Sequence, residues 1–576
     1  MTDADVQASF AAVLVDEWVA AGVTDAVVAP GSRSTPMLVA LAADSRVRVH
    51  VVLDERSAGF VALGLGAATG RPAPVVTTSG TAAVELHPAV VEADLAGVPL
   101  LAVTADRPPE LHHVGAPQTV EQVGGYGAAP RLTLEPGVPV AATAHTWRAL
   151  AVRAVAVATD GPLGPGPVHL NLAFREPLLG QPDPALAPPR DGRDRWTVGS
   201  RPVPSAVDAA VLGSLVMRRA EGGIIVAGAG AGDPQLVLDV ASALGWPVLA
   251  DPRSGVRVPH QRVVAAADAL LRGGPVAGWE PTAVLRLGRP WASKVLAQWL
   301  ARPRPELVDV LVDPTGRWSD PDQRVTHVIA ADPVGVCRAL LARAGDGGHV
   351  ASRWAARWGR AEAAAQKAID GALPGPALSE PGIARRVLRA VPEGSVVVAS
   401  SSMPIRDLEW FGRPRAGVRV HSNRGANGID GVVSTAIGVA LSGAPTVGLL
   451  GDLAFVYDAG ALLWAARRPV ECTLIVVDNQ GGGIFSFLPQ AAALAPERFE
   501  AYWGTPHGLD LVALARSYGV DAEEVGDLDA LEAAAARPGP GLRVVVARTD
   551  RQTNVEIHDR VNAAVIEALN EEFAAK

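Results

Sequence analysis

Two stretches far apart in the chain predict its fold class. They are Gly451-Asp452-Leu453 and Val477-Asp478-Asn479-Gln480-Gly481-Gly482. Both stretches lie at the end of short apolar runs of the kind that form buried parallel strands, and ligands of open α/β sheets bind at the carboxyl ends of such strands. The Asp452 carboxylate and the Asn479 carbonyl are hard oxygen ligands for Mg²⁺, whose octahedron substrate phosphates can complete. The neighbouring glycines allow the backbone to approach a phosphate closely. A Gly-Asp pair alone indicates only a turn, but with Asn479 after the next strand it predicts a magnesium–diphosphate site.

The same alternation of strand and helix extends along the whole chain. Short apolar runs rich in β-branched residues are separated by Ala- and Leu-rich helical stretches, a pattern typical of α/β layers with parallel sheets buried on both faces. The predicted strands include 26–29, 49–53, 75–78, 100–103, 224–227, 395–398, 446–450 and 474–477. Two stretches predict linkers. Residues 176–204 are rich in Pro, Asp and Arg, and residues 344–381 begin with Gly-rich loop residues and contain a predicted helix over 352–372. We therefore predict three α/β domains, each a mainly parallel sheet flanked by helices, over residues 1–180, 200–345 and 375–576.

The composition is that of a folded globular chain, since 49% of its 576 residues are hydrophobic and 19% are charged. Its formal net charge of −9 argues against a broad nucleic-acid-binding surface. Acidic substrates must then be bound by local arginines rather than by the field of the whole protein. The two cysteines, Cys337 and Cys472, cannot form a disulfide framework and lack zinc-type spacing, which favours a reducing compartment such as the cytoplasm.

Neither a targeting signal nor a membrane-spanning segment is expected. The first residues, Met1-Thr2-Asp3-Ala4-Asp5, are acidic where a signal peptide is basic. The least polar long stretch, 431–450, contains serine, threonine, proline and several glycines. It therefore predicts a buried helix followed by a strand rather than a membrane span.

An isolated acid in the N-terminal half is the second candidate for chemistry. Glu55 lies in Leu53-Asp54-Glu55-Arg56-Ser57-Ala58-Gly59-Phe60, after a predicted strand and at the start of a predicted helix. A partly buried carboxyl at such a place can hold a proton against a heterocyclic nitrogen. The simpler interpretation is a glutamate that faces the positive end of the helix dipole.

Several arginines follow predicted strands and could bind anions. Arg33 lies in Pro30-Gly31-Ser32-Arg33-Ser34-Thr35-Pro36, where Ser32 or Ser34 could cap the next helix and backbone N–H groups could face an anion. Arg107, Arg406 and Arg424 occupy similar turns, and Gln118 lies in a Gly- and Pro-bearing loop after Arg107. Any one arginine is more often a solvated surface charge, but together they favour a substrate with more than one carboxylate, because arginine binds carboxylates in a bidentate manner.

A glycine-rich loop, Gly228-Ala229-Gly230-Ala231-Gly232, follows another predicted strand and is similar to a dinucleotide-binding loop. The G-x-G-x-x-G pattern fails because Asp233 stands where the third glycine belongs. A glycine-rich turn in a non-catalytic domain is the favoured interpretation. A nucleotide-binding or scaffold protein without catalytic activity is the alternative.

The motifs taken together resemble the 2-succinyl-5-enolpyruvyl-6-hydroxy-3-cyclohexene-1-carboxylate synthase family, the thiamine diphosphate enzymes of menaquinone biosynthesis. The matching motifs extend from end to end of the chain. They are Pro30-Gly31-Ser32-Arg33-Ser34-Thr35-Pro36, Thr78-Ser79-Gly80-Thr81-Ala82, Thr104-Ala105-Asp106-Arg107-Pro108-Pro109-Glu110, Ser422-Asn423-Arg424-Gly425-Ala426, Gly428-Ile429-Asp430-Gly431, Gly481-Gly482 with Ile484-Phe485, and Thr505-Pro506-His507-Gly508.

The resemblance implies a pyrimidine-binding domain, a central domain and a diphosphate-binding domain, with active sites between the subunits of a homodimer or homotetramer. It also implies that 2-oxoglutarate is decarboxylated on thiamine diphosphate and that the resulting succinyl carbanion adds to isochorismate in a 1,4-addition. Mg²⁺ is the expected metal, and Mn²⁺ can replace it in a site of oxygen ligands.

The resemblance assigns roles by matching position. Glu55 would activate the cofactor's aminopyrimidine, and Ile429 would hold the cofactor in its bent form. The Mg²⁺ and diphosphate site would be built from Gly451, Asp452, Leu453, Asn479 and the Gly481 carbonyl. The 2-oxoglutarate carboxylate would be bound by Ser402, Arg406 and Arg424. Isochorismate would face Ser32, Arg33, Arg107, Gln118 and Lys294, and the pocket would be lined by Ile484 and Phe485.

Some positions depart from the general thiamine diphosphate pattern. Leu453 replaces the last glycine of Gly-Asp-Gly, as it does in this family, and Asn479 is preceded by Asp478 and followed by Gln480. The basic pair that some members carry in the central domain is reduced to Lys294 followed by Val295, which puts that isochorismate contact in doubt. Another thiamine diphosphate-dependent 2-oxoacid decarboxylase or an acetohydroxyacid synthase is the alternative activity. Residues 485–510, which follow the glycines, are a candidate lid.

Overall fold

Three six-stranded sheets follow one another along the chain, and the paired strands within each sheet run parallel. The structure is a computed structural model that describes residues 1–186, 194–197, 209–218, 222–289, 291–345 and 350–574. Helices flank every sheet. The predicted fold class, three mainly parallel sheets with helices, is confirmed.

The first sheet belongs to the N-terminal part of the chain. Its strands are β1 (Asp25–Val28), β2 (Arg48–Val51), β3 (Ala73–Thr77), β4 (Leu100–Asp106), β5 (Leu132–Leu134) and β6 (Pro167–Ala173). Its helices are α1 (Asp3–Ala20), α2 (Thr35–Ala43), α3 (Glu55–Thr69), α4 (Thr81–Val84), α5 (His87–Ala96) and α6 (Trp147–Asp160). The strand order is β2-β1-β3-β4-β6-β5, so the loops after β1, β3 and β4 lie side by side at one edge.

The second sheet lies in the middle of the chain. Its strands are β7 (Gly223–Ala227), β8 (Val248–Ala250), β9 (Val263–Val264), β10 (Ala283–Leu287), β11 (Val308–Val312) and β12 (His327–Ile329). Its helices are α7 (Ala209–Met217), α8 (Pro234–Leu244), α9 (Ala267–Leu271), α10 (Lys294–Leu300), α11 (Pro333–Ala344) and α12 (Arg353–Ala372). The strand order is β12-β11-β10-β7-β8-β9.

The third sheet forms the C-terminal part. Its strands are β13 (Val396–Ala399), β14 (Arg419–His421), β15 (Thr446–Gly451), β16 (Glu471–Asp478), β17 (Asp521–Val525) and β18 (Gly541–Arg548). Its helices are α13 (Glu380–Ala390), α14 (Met403–Phe411), α15 (Val432–Leu441), α16 (Asp452–Tyr457), α17 (Leu462–Ala465), α18 (Pro489–Ala493), α19 (Pro496–Phe499), α20 (Leu511–Ser517), α21 (Leu528–Ala536) and α22 (Arg551–Phe573). The order β14-β13-β15-β16-β18-β17 places β13, β15 and β16 next to one another.

The strands predicted from apolar runs are present, and most of their ends shift by one to three residues. The strand predicted over 49–53 ends at Val51 instead, because the Asp54 side chain accepts a hydrogen bond from the Ser57 N–H (2.9 Å) and begins α3 there. The apolar stretch 431–450 forms the buried helix α15 and the strand β15, as predicted. Within the described ranges, no helix has both the length and the apolar character that a membrane crossing requires.

The two predicted linkers differ in outcome. Of the stretch 176–204, residues 176–186 contain one short 3-10 helix, Pro184–Leu186, and residues 187–193 and 198–204 lie outside the described residues. The helix predicted over 352–372 is α12, which Ser352 caps. The predicted end of the second linker, residue 381, is wrong, because α13 already begins at Glu380 with Ser379 as its cap. The domain boundaries at 180, 200, 345 and 375 stay predictions.

The first and third sheets share one hydrophobic core, in which helices α3 and α15 cross at two glycines. A Cβ atom added to Gly64 would lie 2.2 Å from the Thr435 carbonyl oxygen, and one added to Gly438 would lie 2.2 Å from the Val61 carbonyl oxygen. Only glycine permits backbones to approach so closely. The N-terminal and C-terminal parts of one chain are therefore packed tightly along this crossing.

Candidate active site

A cavity of about 310 Å³ opens at the carboxyl ends of β13, β15 and β16. It lies where the sequence predicted the magnesium–diphosphate site. The loop after β13 contributes Ser400, Ser401 and Ser402, and the turn after β15 contributes Gly451, Asp452 and Leu453. The structure brings the predicted C-terminal site residues together in its lining: Ser402, Arg406, Arg424, Ile429, Gly451, Asp452, Leu453, Asn479, Gly481, Ile484 and Phe485.

Asp452 is the acidic centre of this cavity and the first residue of α16. Its Oδ1 accepts a hydrogen bond from the Leu453 N–H (2.6 Å) and its Oδ2 accepts one from the Gly481 N–H (2.7 Å). Burial raises the pKa of Asp452, and the nearby Asp478 carboxylate raises it further. A bound cation would favour the ionised form, so the carboxylate is suited to hold one.

Asn479 presents an amide whose two ends have different surroundings. Its Nδ2 donates a hydrogen bond to Glu380 Oε1 (2.8 Å), whereas its buried Oδ1 has no hydrogen-bond partner among the described residues. A buried carbonyl oxygen without a partner is costly unless something else binds it. The Gly481 carbonyl accepts a bond from the Gly483 N–H (2.9 Å) and keeps a second lone pair. The donor set of Asp452, Asn479 and Gly481 therefore fits Mg²⁺.

The glycines after Asn479 have a packing role besides the predicted approach to phosphate. Gly481 has φ +137°, and a Cβ atom there would lie 1.9 Å from the Gly504 carbonyl oxygen. The Gly482 N–H donates to that same oxygen (2.8 Å). Gly504 ends a short π-helix, Glu500–Gly504, within the stretch 485–510 that the sequence predicts as a lid. Whether that stretch closes over substrate stays a prediction.

Two arginines give the cavity its positive charge. Arg406 is on α14, where its Nη1 donates to the Ser402 carbonyl oxygen (2.5 Å), and Arg424 follows β14. Burial lowers the pKa of Arg406, and burial together with Arg253 and Arg406 lowers the pKa of Arg424 to about 10. Both guanidinium groups stay charged at neutral pH and can bind a carboxylate.

The N-terminal candidates form a separate group. Arg107 donates a hydrogen bond to Ser79 Oγ, and Gln118 Nε2 donates to the Ser79 carbonyl oxygen (2.9 Å). Arg33 is buried and pairs with Glu176 (3.0 Å), and its charge contributes, after burial, to a lowered pKa of Arg107. None of these residues lines the C-terminal cavity, and neither does the exposed Ser32.

Glu55 begins α3, as predicted, and is half-buried. It also lies outside the lining of the C-terminal cavity. The predicted serine cap of α2 is absent, because Ser34 occupies the capping position while its hydroxyl donates to the Gly31 carbonyl oxygen (2.9 Å). Lys294 is the exposed first residue of α10 and does not line the cavity.

The glycine-rich loop after β7 has a structural explanation. A Cβ atom on Gly228 would lie 1.7 Å from the Arg289 carbonyl oxygen, so backbone contact requires glycine there. Asp233, which breaks the dinucleotide pattern, caps α8 by accepting a bond from the Leu236 N–H (2.9 Å).

Sequence reasoning missed Glu380 and His507 as members of this site. Glu380 lines the cavity, but it lies at the end of a stretch predicted as a linker. His507 Nε2 lies 3.3 Å from Asp452 Oδ2 and 3.7 Å from Asp478 Oδ1. The signal for His507 was present, since it belongs to Thr505-Pro506-His507-Gly508, to which no role was assigned.

Three models of thiamine pyrophosphate (thiamine diphosphate) enzyme domains match the chain in succession. The N-terminal TPP binding domain matches residues 8–124, the middle domain residues 194–397 and the C-terminal TPP binding domain residues 404–546. Together with the three parallel sheets, these matches define the chain as a thiamine diphosphate enzyme.

Curated relatives identify the family within that class. The chain is 43% identical over 576 residues to the 2-succinyl-5-enolpyruvyl-6-hydroxy-3-cyclohexene-1-carboxylate synthase of Thermobifida fusca, which covers 97% of this chain and 99% of the relative. It is 40% identical to the synthase of the same name from Chloroflexus aurantiacus, over 97% of this chain and 96% of that relative. It is 42% identical to the one from Rubrobacter xylanophilus, over 95% of this chain and 96% of that relative. The chain belongs to the 2-succinyl-5-enolpyruvyl-6-hydroxy-3-cyclohexene-1-carboxylate synthase family, a family of transferase-type synthases, which confirms the resemblance found in the sequence.

Proposed function

We propose that this enzyme uses thiamine diphosphate and Mg²⁺ to join 2-oxoglutarate, with loss of CO₂, to isochorismate. The succinyl group adds in a 1,4-addition, and the product is 2-succinyl-5-enolpyruvyl-6-hydroxy-3-cyclohexene-1-carboxylate, an intermediate of menaquinone biosynthesis. The observation that carries the proposal is one cavity in which Asp452 and the unpartnered Asn479 Oδ1 lie with Arg406 and Arg424. An oxygen-rich cation site beside two guanidinium groups suits a diphosphate cofactor and a carboxylate substrate.

The C-terminal residues would hold the cofactor and the first substrate. Asp452, Asn479 and the Gly481 carbonyl would bind Mg²⁺, in whose place Mn²⁺ can act. Thiamine diphosphate, when bound, supplies the carbon nucleophile that decarboxylation of a 2-oxoacid requires. Ile429, which lines the cavity, would hold the cofactor in place.

Charge complementarity would select 2-oxoglutarate. Arg406, Arg424 and Ser402 would bind its distal carboxylate, since two half-buried guanidinium groups that line one cavity suit an anion. Ile484 and Phe485 would exclude water from the apolar wall of the pocket.

The N-terminal residues would complete the site from another subunit. Glu55 would hold a proton at the aminopyrimidine nitrogen. Isochorismate would be bound by Ser32, Arg33, Arg107, Gln118 and Lys294. Because none of them lines the C-terminal cavity of the same chain, we propose a homodimer or homotetramer with active sites between subunits. We also propose domain limits at 1–180, 200–345 and 375–576 and a cytoplasmic location.

The test is an assay that contains the protein, Mg²⁺, thiamine diphosphate, 2-oxoglutarate and isochorismate. We expect loss of isochorismate absorbance that requires the other components, and a succinyl adduct in the mass spectrum. Pyruvate in place of 2-oxoglutarate is the control for an acetohydroxyacid synthase or another 2-oxoacid decarboxylase. CO₂ release from 2-oxoglutarate without loss of isochorismate would support the thiamine diphosphate-dependent decarboxylation. It would contradict the proposal that isochorismate is the acceptor.

A further inference from the structure

Glu380 is a buried acid in the cavity to which the proposed reaction assigns no role. It is the first residue of α13 and is 4% exposed. Its side chain lies away from solvent, where burial of a charged group is costly. A carboxyl buried at such a cost needs either a structural or a functional reason.

The contacts of Glu380 join the ends of two strands. Its Oε1 accepts a hydrogen bond from Asn479 Nδ2 (2.8 Å) and another from Thr549 Oγ1 (3.1 Å). Asn479 directly follows β16, and Thr549 directly follows the neighbouring strand β18. The Glu380 side chain therefore reaches from α13 to the carboxyl edge of the sheet, where the proposed metal ligands lie.

The chemistry of the two side chains sets the orientation of the Asn479 amide. A carboxylate only accepts hydrogen bonds, so the group that faces it must be the NH₂ of Asn479. The Asn479 carbonyl oxygen must then point away from Glu380, and in the part of the chain that the structure describes this buried oxygen has no hydrogen-bond partner. If the amide turned over, it would offer a cation its NH₂ group, which has no lone pair available for a metal.

We propose that Glu380 is a positioning residue that orients the Asn479 carbonyl oxygen toward the metal. This inference rests on the proposed function, because it takes Asn479 as a ligand of Mg²⁺. Residues that orient metal ligands typically change metal affinity by about 10–100-fold when they are removed. Glutamine at this position could donate as well as accept, so it would reach Asn479 without fixing which end of the amide faces the cavity.

The experiment measures Mn²⁺ binding to the full-length protein by electron paramagnetic resonance in the presence of thiamine diphosphate. We expect Glu380→Ala to weaken Mn²⁺ binding by about 10–100-fold. Thr549→Val is the matched control, because it removes the other hydrogen bond to the same carboxylate and leaves Asn479 in place. This control should stay within about three-fold of the wild-type protein, as a side chain that contacts no metal ligand would.

A double-mutant cycle separates orientation of Asn479 from a general structural effect. In the Asn479→Ala background, Glu380→Ala should weaken Mn²⁺ binding by no more than about three-fold, because the group it orients is gone. An equal loss in both backgrounds, or a Glu380→Ala protein that binds Mn²⁺ like the wild type, would overturn the inference. If Glu380→Ala does not fold, Glu380→Gln serves instead. The inference then expects weaker Mn²⁺ binding at an unchanged melting temperature, and wild-type affinity in that variant would overturn it.

The wild-type titration distinguishes the two proposals. A wild-type protein that binds no Mn²⁺ with thiamine diphosphate would overturn the proposed function and this inference with it. Tight wild-type binding that Glu380→Ala leaves unchanged would overturn the role of Glu380 alone.

Discussion

The C-terminal cavity gathers most of its candidate residues within one chain, whereas the N-terminal candidates do not reach that cavity. The cavity lies at the carboxyl ends of β13, β15 and β16, and the N-terminal candidates Glu55, Ser79 and Arg107 follow β2, β3 and β4. In the C-terminal sheet the candidate residues converge on a single cavity of about 310 Å³. In the N-terminal sheet, Arg107 and Gln118 meet at Ser79, and neither they nor Glu55 line that cavity. We propose that the two groups are half-sites, each of which meets the opposite half of another chain.

The largest effect is expected at the acid of the N-terminal half. Glu55→Gln should keep cofactor binding and lower kcat by at least about 100-fold, because the amide cannot exchange a proton with the aminopyrimidine. Steady-state rates together with a thiamine diphosphate titration measure both properties. Glu85→Gln, at an exposed glutamate of the same sheet, is the control and should have wild-type activity. A near-normal rate for Glu55→Gln would remove Glu55 from the mechanism.

A smaller loss is expected at the arginines of the C-terminal half. Arg424→Ala should lower kcat/KM for 2-oxoglutarate by about 100-fold, the typical cost of removing one partner of a buried charged pair. Arg424→Lys keeps the charge without the bidentate geometry and should fall between the alanine variant and the wild type. CO₂ release measures this half-reaction without the second substrate. An Arg424→Ala variant that releases CO₂ normally would contradict the assignment.

The arginine of the N-terminal half should affect only the second substrate. Arg107→Ala should raise the isochorismate KM or lower kcat by about 10-fold or more, because it removes a charge-assisted contact. CO₂ release from 2-oxoglutarate should persist. Comparison of the two rates in one assay checks this division, and loss of CO₂ release would show that the two halves do not separate the substrates in the way we propose.

The sequence predicted that the C-terminal candidates converge, and the reason is physical. Asp452 and Asn479 follow the neighbouring parallel strands β15 and β16, so strand order brings both into the lining of one cavity. Their role as metal ligands stays a prediction. Glu380 reaches the same edge from a helix more than 60 residues earlier in the chain, and its Ser-Glu-Pro context indicated only a linker. The contact of Glu380 with Asn479 depends on tertiary packing, which no local pattern records.

The glycines show the same limit at the level of the backbone. Those after Asn479 were assigned to phosphate approach, but Gly481 and Gly482 also give room to the Gly504 carbonyl oxygen. No sequence pattern singled out Gly64 and Gly438, although these glycines allow α3 and α15 to cross. A glycine shows that something comes close, but the sequence does not show which group does.

The smallest effect is expected at the crossing that joins the two halves of one chain. Gly64→Ala should lower the free energy of unfolding by about 1–3 kcal/mol, because its Cβ atom would meet the Thr435 carbonyl oxygen. Gly371→Ala is the matched control on α12, where no described atom beyond the adjacent residues and the helix's own backbone lies within 4 Å of the added Cβ, and it should stabilise the protein by up to about 1 kcal/mol. Denaturant melts compare the two, and equal stabilities would contradict the tight crossing.

Complementation between subunits tests whether each active site joins halves from two chains. Chains that carry Glu55→Gln are co-expressed with chains that carry Asp452→Ala, and mixed oligomers are purified through two different affinity tags. Each pair then contains one site with both residues intact, so the account predicts about half of the wild-type activity from two inactive variants. Mixed oligomers that stay as inactive as the separate variants would show that each chain uses its own Glu55, and would contradict the account.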